Sequence, residues 1–188
     1  MTGRDFFKKF NWLINVFLKT LLLLPCGFRA FLFSACAGVS GRHGLFLRFI
    51  LFKSIAKSCG DNVYIGRWCT LKSINNLTVG DNVSIHEYCY LDASGSIDIG
   101  NDVSIAHNAS ILSFEHSFDV KNCPIKYQPL KLIKVSIGDN VWLGCGVRVL
   151  AGSLIKSNTV VGANSVVKNE IGEGVFVGVV AKKVKDIG

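Results

Sequence analysis

Histidine is the side chain whose ordinary titration falls closest to neutral pH, so it is the first group to consider where a proton must be taken and returned. The sequence has four: His43, His86, His107 and His116. A lone histidine is most often structural, and position alone lifts only His116 above that reading. It stands in "ILSFEHSFD" (111–119), just past the point where a regular repeat breaks off, with Glu115 and Asp119 beside it. Those carboxylates are candidates for orienting an imidazole or gripping a substrate, or equally for capping the local backbone. Lys168, Lys182 and Lys183 near the C-terminus are point charges suited to phosphates, or a solvated basic tail.

The repeat is the element that must position these groups. "CGDNVYIGRWCTL" from Cys59, "VGDNVSIHEYCYL" from Val79 and "IGNDVSIAHNASI" from Ile99 are three copies twenty residues apart. Within them aliphatic or small residues recur every six: Cys59/Ile65/Leu71, Val79/Ile85/Leu91 and Ile99/Ile105/Ile111. After "LSFEHSFDVKNCPIKYQPLKLIKVS" the hexads resume as Ile137/Leu143/Val149 and Ile155/Val161/Val167, now eighteen apart. Each copy buries too little by itself, so successive coils must stack with like side chains in ladders: an all-β hexapeptide β-helix. Glycines following the aliphatic residue (Gly60, Gly80, Gly100, Gly138, Gly162) are expected at tight turns or positive φ. Pro124 and Pro129 mark the interruption, about residues 113–135, as an ordered protruding loop with little regular structure.

Composition limits the partners. The net charge of +8 resides in residues 1–58, which hold nine Lys/Arg against Asp5, while residues 59–188 balance twelve against twelve. The repeat body therefore lacks a polyanion footprint, and no nucleic-acid partner is expected. Seven cysteines without a C-x-x-C are read as small buried thiols of a reducing compartment, with Cys69, Cys89 and Ala109 sharing one inward slot.

Residues 1–58 form a distinct helical segment. In "FFKKFNWLINVFLKTLLLLP" Phe6, Phe10, Leu13/Ile14, Phe17 and Leu21 recur at helical spacing, opposite Lys8, Asn11, Asn15 and Lys19, and Pro25 ends the run. No uncharged run exceeds twelve residues, short of the ~20 that span a bilayer. Apolar and cationic excess coincide here, which favours helices lying in the membrane interface over helices that cap the core or an oligomer.

The residues of the repeat carry a family resemblance. "IGDNVWLGCGVRVLAGSLI" and "VVGANSVVKNEIGEGVFVGVVAKKV" resemble the hexapeptide-repeat acetyltransferases, in particular the galactoside, maltose and polysaccharide-modifying branch, over about residues 59–185. The resemblance implies a left-handed parallel β-helix, a homotrimer with sites between subunits, and acetyl-CoA as co-substrate. It implies His116 as catalytic base, seventeen residues after Ile99, activating a saccharide hydroxyl that attacks the thioester directly. No metal is demanded, because the thioester already has a good leaving group.

An oxyanion donor is expected from a backbone N–H near Gly144–Cys145, with a nucleophilic Cys145 as the lesser alternative. Trp142, in "GDNVWLG", resembles the family's tryptophan beside acceptor or pantetheine. Gly144, Gly162 and Ala163 would allow the pantetheine chain to approach, Lys168, Lys182 and Lys183 would meet the coenzyme phosphates, and His86 aligns with an acceptor contact. The chain departs from the family pattern at Lys168-Asn169 and at Val179-Val180.

The function implied is acetyl-CoA-dependent O-acetylation of an envelope, capsular or O-antigen polysaccharide precursor, at the cytoplasmic face of the cell membrane. An N-acetyltransferase of an amino sugar and a non-catalytic trimeric scaffold are the alternatives. A zinc hydratase on the same fold would need His86, His107 and His116 on one face, which their separations of 21 and 9 residues oppose.

Overall fold

The structure, a computed structural model, describes residues 3–186, with side chains from Trp12 onward except Leu13. The facing expected of Phe6, Lys8, Phe10, Asn11 and Leu13 lies outside the described residues. Three helices, α1 (Gly3–Leu22), α2 (Cys26–Ala35) and α3 (Gly41–Ile55), precede a β-helix whose coils stack in parallel register.

The hexads become three ladders. Cys59, Val79, Ile99, Ile137, Ile155 and Ile171 stack in the first sheet. Ile65, Ile85, Ile105, Leu143 and Val161 stack in the second, and Leu71, Leu91, Ile111, Val149 and Val167 in the third. Nearly all are fully buried, with Cys59 and Leu71 half-buried at the first coil. At roughly 1.5–3 kcal/mol for each buried aliphatic side chain, one coil cannot offset the ordering of some twenty residues, but a stack can. Cys69, Cys89 and Ala109 occupy their shared inward slot as buried residues. Burial pushes the Cys59 thiol up to about 12.

The repeat glycines serve a purpose other than the one expected. Gly60, Gly80, Gly100 and Gly138 have no positive φ; that conformation falls on Asn62, Asn82, Asp102, Asn140 and Asn158. A Cβ on Gly60 would lie 2.6 Å from the Gly80 carbonyl carbon, and one on Gly138 2.6 Å from the Ser157 nitrogen. In "G-D-N" the glycine thus lets coils approach, and the asparagine supplies the left-handed turn that its side chain tolerates.

Extra residues enter at one corner only. From third sheet to first sheet the chain takes eight residues after Leu71 and after Leu91, twenty-six after Ile111 and six after Val149. The protruding loop leaves there, and contrary to expectation it is built on regular structure: Phe114–His116 pairs antiparallel with Leu130–Leu132. The last coil is shorter than the eighteen-residue period, with Ile155 over Ile171, and the chain returns as Lys182–Lys185 antiparallel to Gly174–Val177.

α3 closes the first coil. Its Phe49, Ile50, Leu51, Phe52 and Ile55 are buried in a core that runs unbroken into the coils, so helix and solenoid are not packed separately. Arg48, 2% exposed, fastens the joint: its Nε donates to the Ile65 carbonyl at 2.8 Å and its Nη1 to the Val39 carbonyl at 2.7 Å. Arg48→Met keeps the bulk but leaves both carbonyls without a donor, and is expected to lower unfolding free energy by about 3 kcal/mol, read from the urea midpoint.

Candidate active site

The chain turns from second to third sheet at a corner where five coils lie in line. Gly66, His86, Ala106, Gly144 and Gly162 stack there, each N–H donating to the next coil: His86 to Ile105, Ala106 to Leu143, Gly144 to Val161, Gly162 to Phe176. One residue further, Arg67, Glu87, His107, Cys145 and Ala163 form the tip, linked by the amides of Tyr88, Asn108, Gly146 and Asn164 to the carbonyls of Arg67, Glu87, His107 and Cys145. The sequence candidates His86, Gly144, Cys145, Gly162 and Ala163 therefore share one edge. Trp142, 54% exposed, stands on the adjoining second sheet between Ser104 and Val160.

The hydrogen bonds decide which amides on this edge are available. Gly144 is not one of them, since its N–H binds the Val161 carbonyl at 2.7 Å. Its missing Cβ is explained by the Ala163 nitrogen, 2.7 Å from where that atom would be. Among the described hydrogen bonds the amides of the tip residues Arg67, His107, Cys145 and Ala163 have no acceptor, so the oxyanion or pantetheine donor expected near Gly144–Cys145 falls on the tip, at Cys145 and its neighbours in the stack, and not on Gly144. Arg148 braces the corner, its Nη1 donating to the carbonyls of Asn108 at 2.6 Å and Gly146 at 2.9 Å.

At the first coils the edge becomes aromatic. The His86 ring lies 5.5 Å from that of Tyr64, whose hydroxyl donates to Glu87 Oε1 at 2.9 Å. The Glu87 carboxyl is held below its ordinary range by its own backbone N–H and by that hydroxyl. Trp68 and Tyr88 adopt φ of 59° and 61°, where later coils use Asn108, Gly146 and Asn164, yet the two residues are 55% and 58% exposed. A left-handed backbone costs a bulky L-residue about 1 kcal/mol. Tyr88→Asn should accordingly stabilise the fold by about that amount, seen as a raised urea midpoint.

His116 is exposed at the end of Phe114–His116, opposite Leu130, with its ring edge-on to Phe114 at 6.3 Å. Alternation along the strand turns Glu115 to the other face of the hairpin. Asp119 is engaged elsewhere: Lys131 Nζ pairs with it at 2.7 Å and lies over Phe118. Neither carboxylate is brought to the imidazole. The hairpin is held by residues that were not singled out in the sequence. Buried Gln128 receives the Val120 N–H and donates to the carbonyls of Val120 and Cys123. Buried Ser113 donates to the Asp92 carbonyl at 2.7 Å and accepts from the Gly95 N–H at 2.8 Å. Their signal was polarity at positions flanking prolines and the last hexad, which is not distinctive.

The three lysines expected to meet the coenzyme phosphates are dispersed within one chain. Lys182 and Lys183 lie on the strand added to the second sheet, and Lys183 pairs with Asp186. Lys168 follows the third sheet, at the corner from which the hairpin leaves. His116 belongs to that corner as well, so the third sheet separates it from Cys145 and Ala163.

Comparison with known proteins identifies the family of this fold. The family described as bacterial transferase hexapeptide (six repeats) matches residues 134–169. WbbJ of Escherichia coli (strain K12), named for O-acetyl transfer in lipopolysaccharide biosynthesis, is 41% identical over 152 residues, 79% of this chain and 67% of that protein. The chain belongs to the hexapeptide-repeat acetyltransferase family.

As an acyltransferase of this family it superimposes on a maltose O-acetyltransferase from Clostridium difficile 630 with a TM-score of 0.78, 27% identity and 89% coverage of both chains. A galactoside acetyltransferase solved with coenzyme A shares the fold at a TM-score of 0.75 and 23% identity, over 83% of this chain and 78% of that one. The hexapeptide-repeat scaffold common to them is the three-sheet stack described above.

Proposed function

We propose that the protein transfers the acetyl group of acetyl-CoA to a hydroxyl of a saccharide, an envelope, capsular or O-antigen polysaccharide precursor. The observation that carries this reading is the 41% identity to WbbJ over 152 residues. The exposed Trp68 and Tyr88, two positions past the Gly66 and His86 slot on the same edge, add support, because an aromatic face suits the C–H face of a sugar while Glu87 and His86 offer polar partners.

In the reaction His116 takes the hydroxyl proton as the oxygen attacks the thioester carbonyl carbon. The developing oxyanion is met by a backbone amide of this edge, the Cys145 N–H, which has no acceptor among the described hydrogen bonds. Collapse breaks the carbon–sulfur bond, the imidazolium returns its proton to the departing thiolate, and an O-acetyl ester and coenzyme A result. Because the third sheet stands between His116 and the Cys145–Ala163 edge in one chain, the site is proposed to assemble between subunits of a homotrimer. His116 then comes from one subunit, and the donor edge, Trp142 and Lys182 from its neighbour.

The test is transfer of labelled acetyl from acetyl-CoA to saccharide-containing envelope fractions. Label released by mild alkali is an ester and supports the reading. Alkali-stable label is an amide and would replace it with N-acetylation of an amino sugar.

A further inference from the structure

The three N-terminal helices divide into two roles. α3 belongs to the core, and both α1 and α2 rest on it, through Ile14, Leu18 and Leu21 of the first and Ala30, Leu32 and Phe33 of the second. The sides turned away from α3 should then be polar if water covers them. They are not. On α1 and the turn after it Trp12, Val16 and Leu23 are 67%, 53% and 84% exposed, and on α2 Phe28 and Phe31 are 48% and 64% exposed with rings stacked at 6.2 Å.

Charge says what covers this face. From Phe6 to Gly60 the sequence has no acidic residue. Part of the positive charge is structural: Arg48 holds Ile65 and Val39, Arg29 donates to the Ser54 carbonyl, and Lys53 pairs with Asp61 at 2.8 Å. Lys19 on α1 and Arg42 at the start of α3 remain exposed, and the sequence adds Arg4, Lys8 and Lys9 to α1. Residues 6–60 carry positive charge and no negative charge, so a second copy of this segment would repel it, whereas anionic headgroups would neutralise it. Neither helix crosses a bilayer: among the described residues no helix is long and apolar enough to do so.

We infer that the outer side of α1 and α2 seats in the interface of an anionic lipid bilayer, with Trp12, Leu23, Phe28 and Phe31 at the acyl boundary and Lys19 and Arg42 among the headgroups. α3 then serves as the rigid joint that fixes the first coil to the lipid surface. The inference stands apart from the reaction proposed above; if both hold, the acceptor is one presented at that surface.

The test is flotation of the full-length chain with vesicles of phosphatidylcholine alone and of phosphatidylcholine with phosphatidylglycerol. The native chain is expected to float with the anionic vesicles at least ~10-fold better than with the neutral ones, and less so in high salt. Leu23→Asn/Phe28→Asn/Phe31→Asn touches exposed side chains only, so it should keep the native melting temperature while losing flotation. Lys19→Gln/Arg42→Gln should weaken the preference for anionic vesicles. Failure of the native chain to float, or equal flotation of the triple variant, overturns the inference. So does a triple variant that falls to a smaller oligomer while the native chain ignores vesicles, since a second copy would then cover the face.

Discussion

Replacing His116 by alanine should lower kcat by about 10²–10⁴-fold, the usual contribution of a positioned general base. The fold should hardly notice. The side chain is exposed and its one described contact is the edge of Phe114, so the unfolding free energy should change by less than about 0.5 kcal/mol. The hairpin that carries it is fixed independently, by Gln128 across the loop and by the Ser117 N–H, which donates to the Pro129 carbonyl at 3.1 Å. The substitution touches neither. KM for acetyl-CoA should therefore stay close to native while turnover falls. A loss of less than about tenfold would remove His116 from the role of base.

Gly95→Ala should be among the most damaging single substitutions in the chain, although it adds one methyl group. A Cβ at this position would lie 2.1 Å from the Ser113 oxygen and 2.6 Å from the Ile133 nitrogen, both backbone atoms at the two roots of the hairpin. Neither can yield by changing a rotamer. The Ile133 N–H is bonded to the Ser113 carbonyl, and the Gly95 N–H to Ser113 Oγ, so forcing the strands apart breaks the clamp that closes the loop. A cost of about 3 kcal/mol is expected, read as a lowered urea midpoint. Turnover should fall with it, because His116 lies three residues beyond Ser113. Gly27→Ala is the matched control: nothing lies within 4 Å of its Cβ, it sits in α2, and it should be neutral or stabilising by up to about 1 kcal/mol.

The contrast between those glycines illustrates what could be read from the sequence. The period of six is a property of inward-facing side chains, so the ladders and the buried Cys69 and Cys89 followed directly from it. Which residue of "G-D-N" takes the left-handed turn did not, because both glycine and asparagine tolerate that conformation, and only the approach of the next coil assigns the glycine. The hairpin within the interruption was hidden because each strand has three residues, too few for an alternation to stand out beside Pro124 and Pro129. Helical spacing announced α1, but the face it buries is Ile14, Leu18 and Leu21, while Phe17 leans on Phe46 and remains 45% exposed. A helix apolar on more than one side does not reveal which side meets the core.

The same limit applies to the candidate site. Proximity in sequence suggested Asp119 as a partner for His116, but the hairpin brings Lys131 to it first. The glycine at 144 suggested a free amide, but the coil ladder uses that amide and leaves those of Cys145 and Ala163 open. His86, Cys145 and Ala163 are far apart in sequence and share an edge because the coils are in register. His116 leaves from the next corner, and this separation is what makes a second subunit necessary in the proposed reaction.

The most direct measurement is the melting temperature of the purified full-length protein with and without acetyl-CoA, for the native chain, for His116→Ala and for Ala163→Trp, which obstructs the donor edge. At a concentration a hundred times its dissociation constant the coenzyme should add ~2.7 kcal/mol to stability. The account predicts a clear upward shift in the native chain, the same shift in His116→Ala, and its loss in Ala163→Trp. No shift in the native chain at millimolar acetyl-CoA, or an undiminished shift in Ala163→Trp, would contradict the assignment of the donor site to this edge.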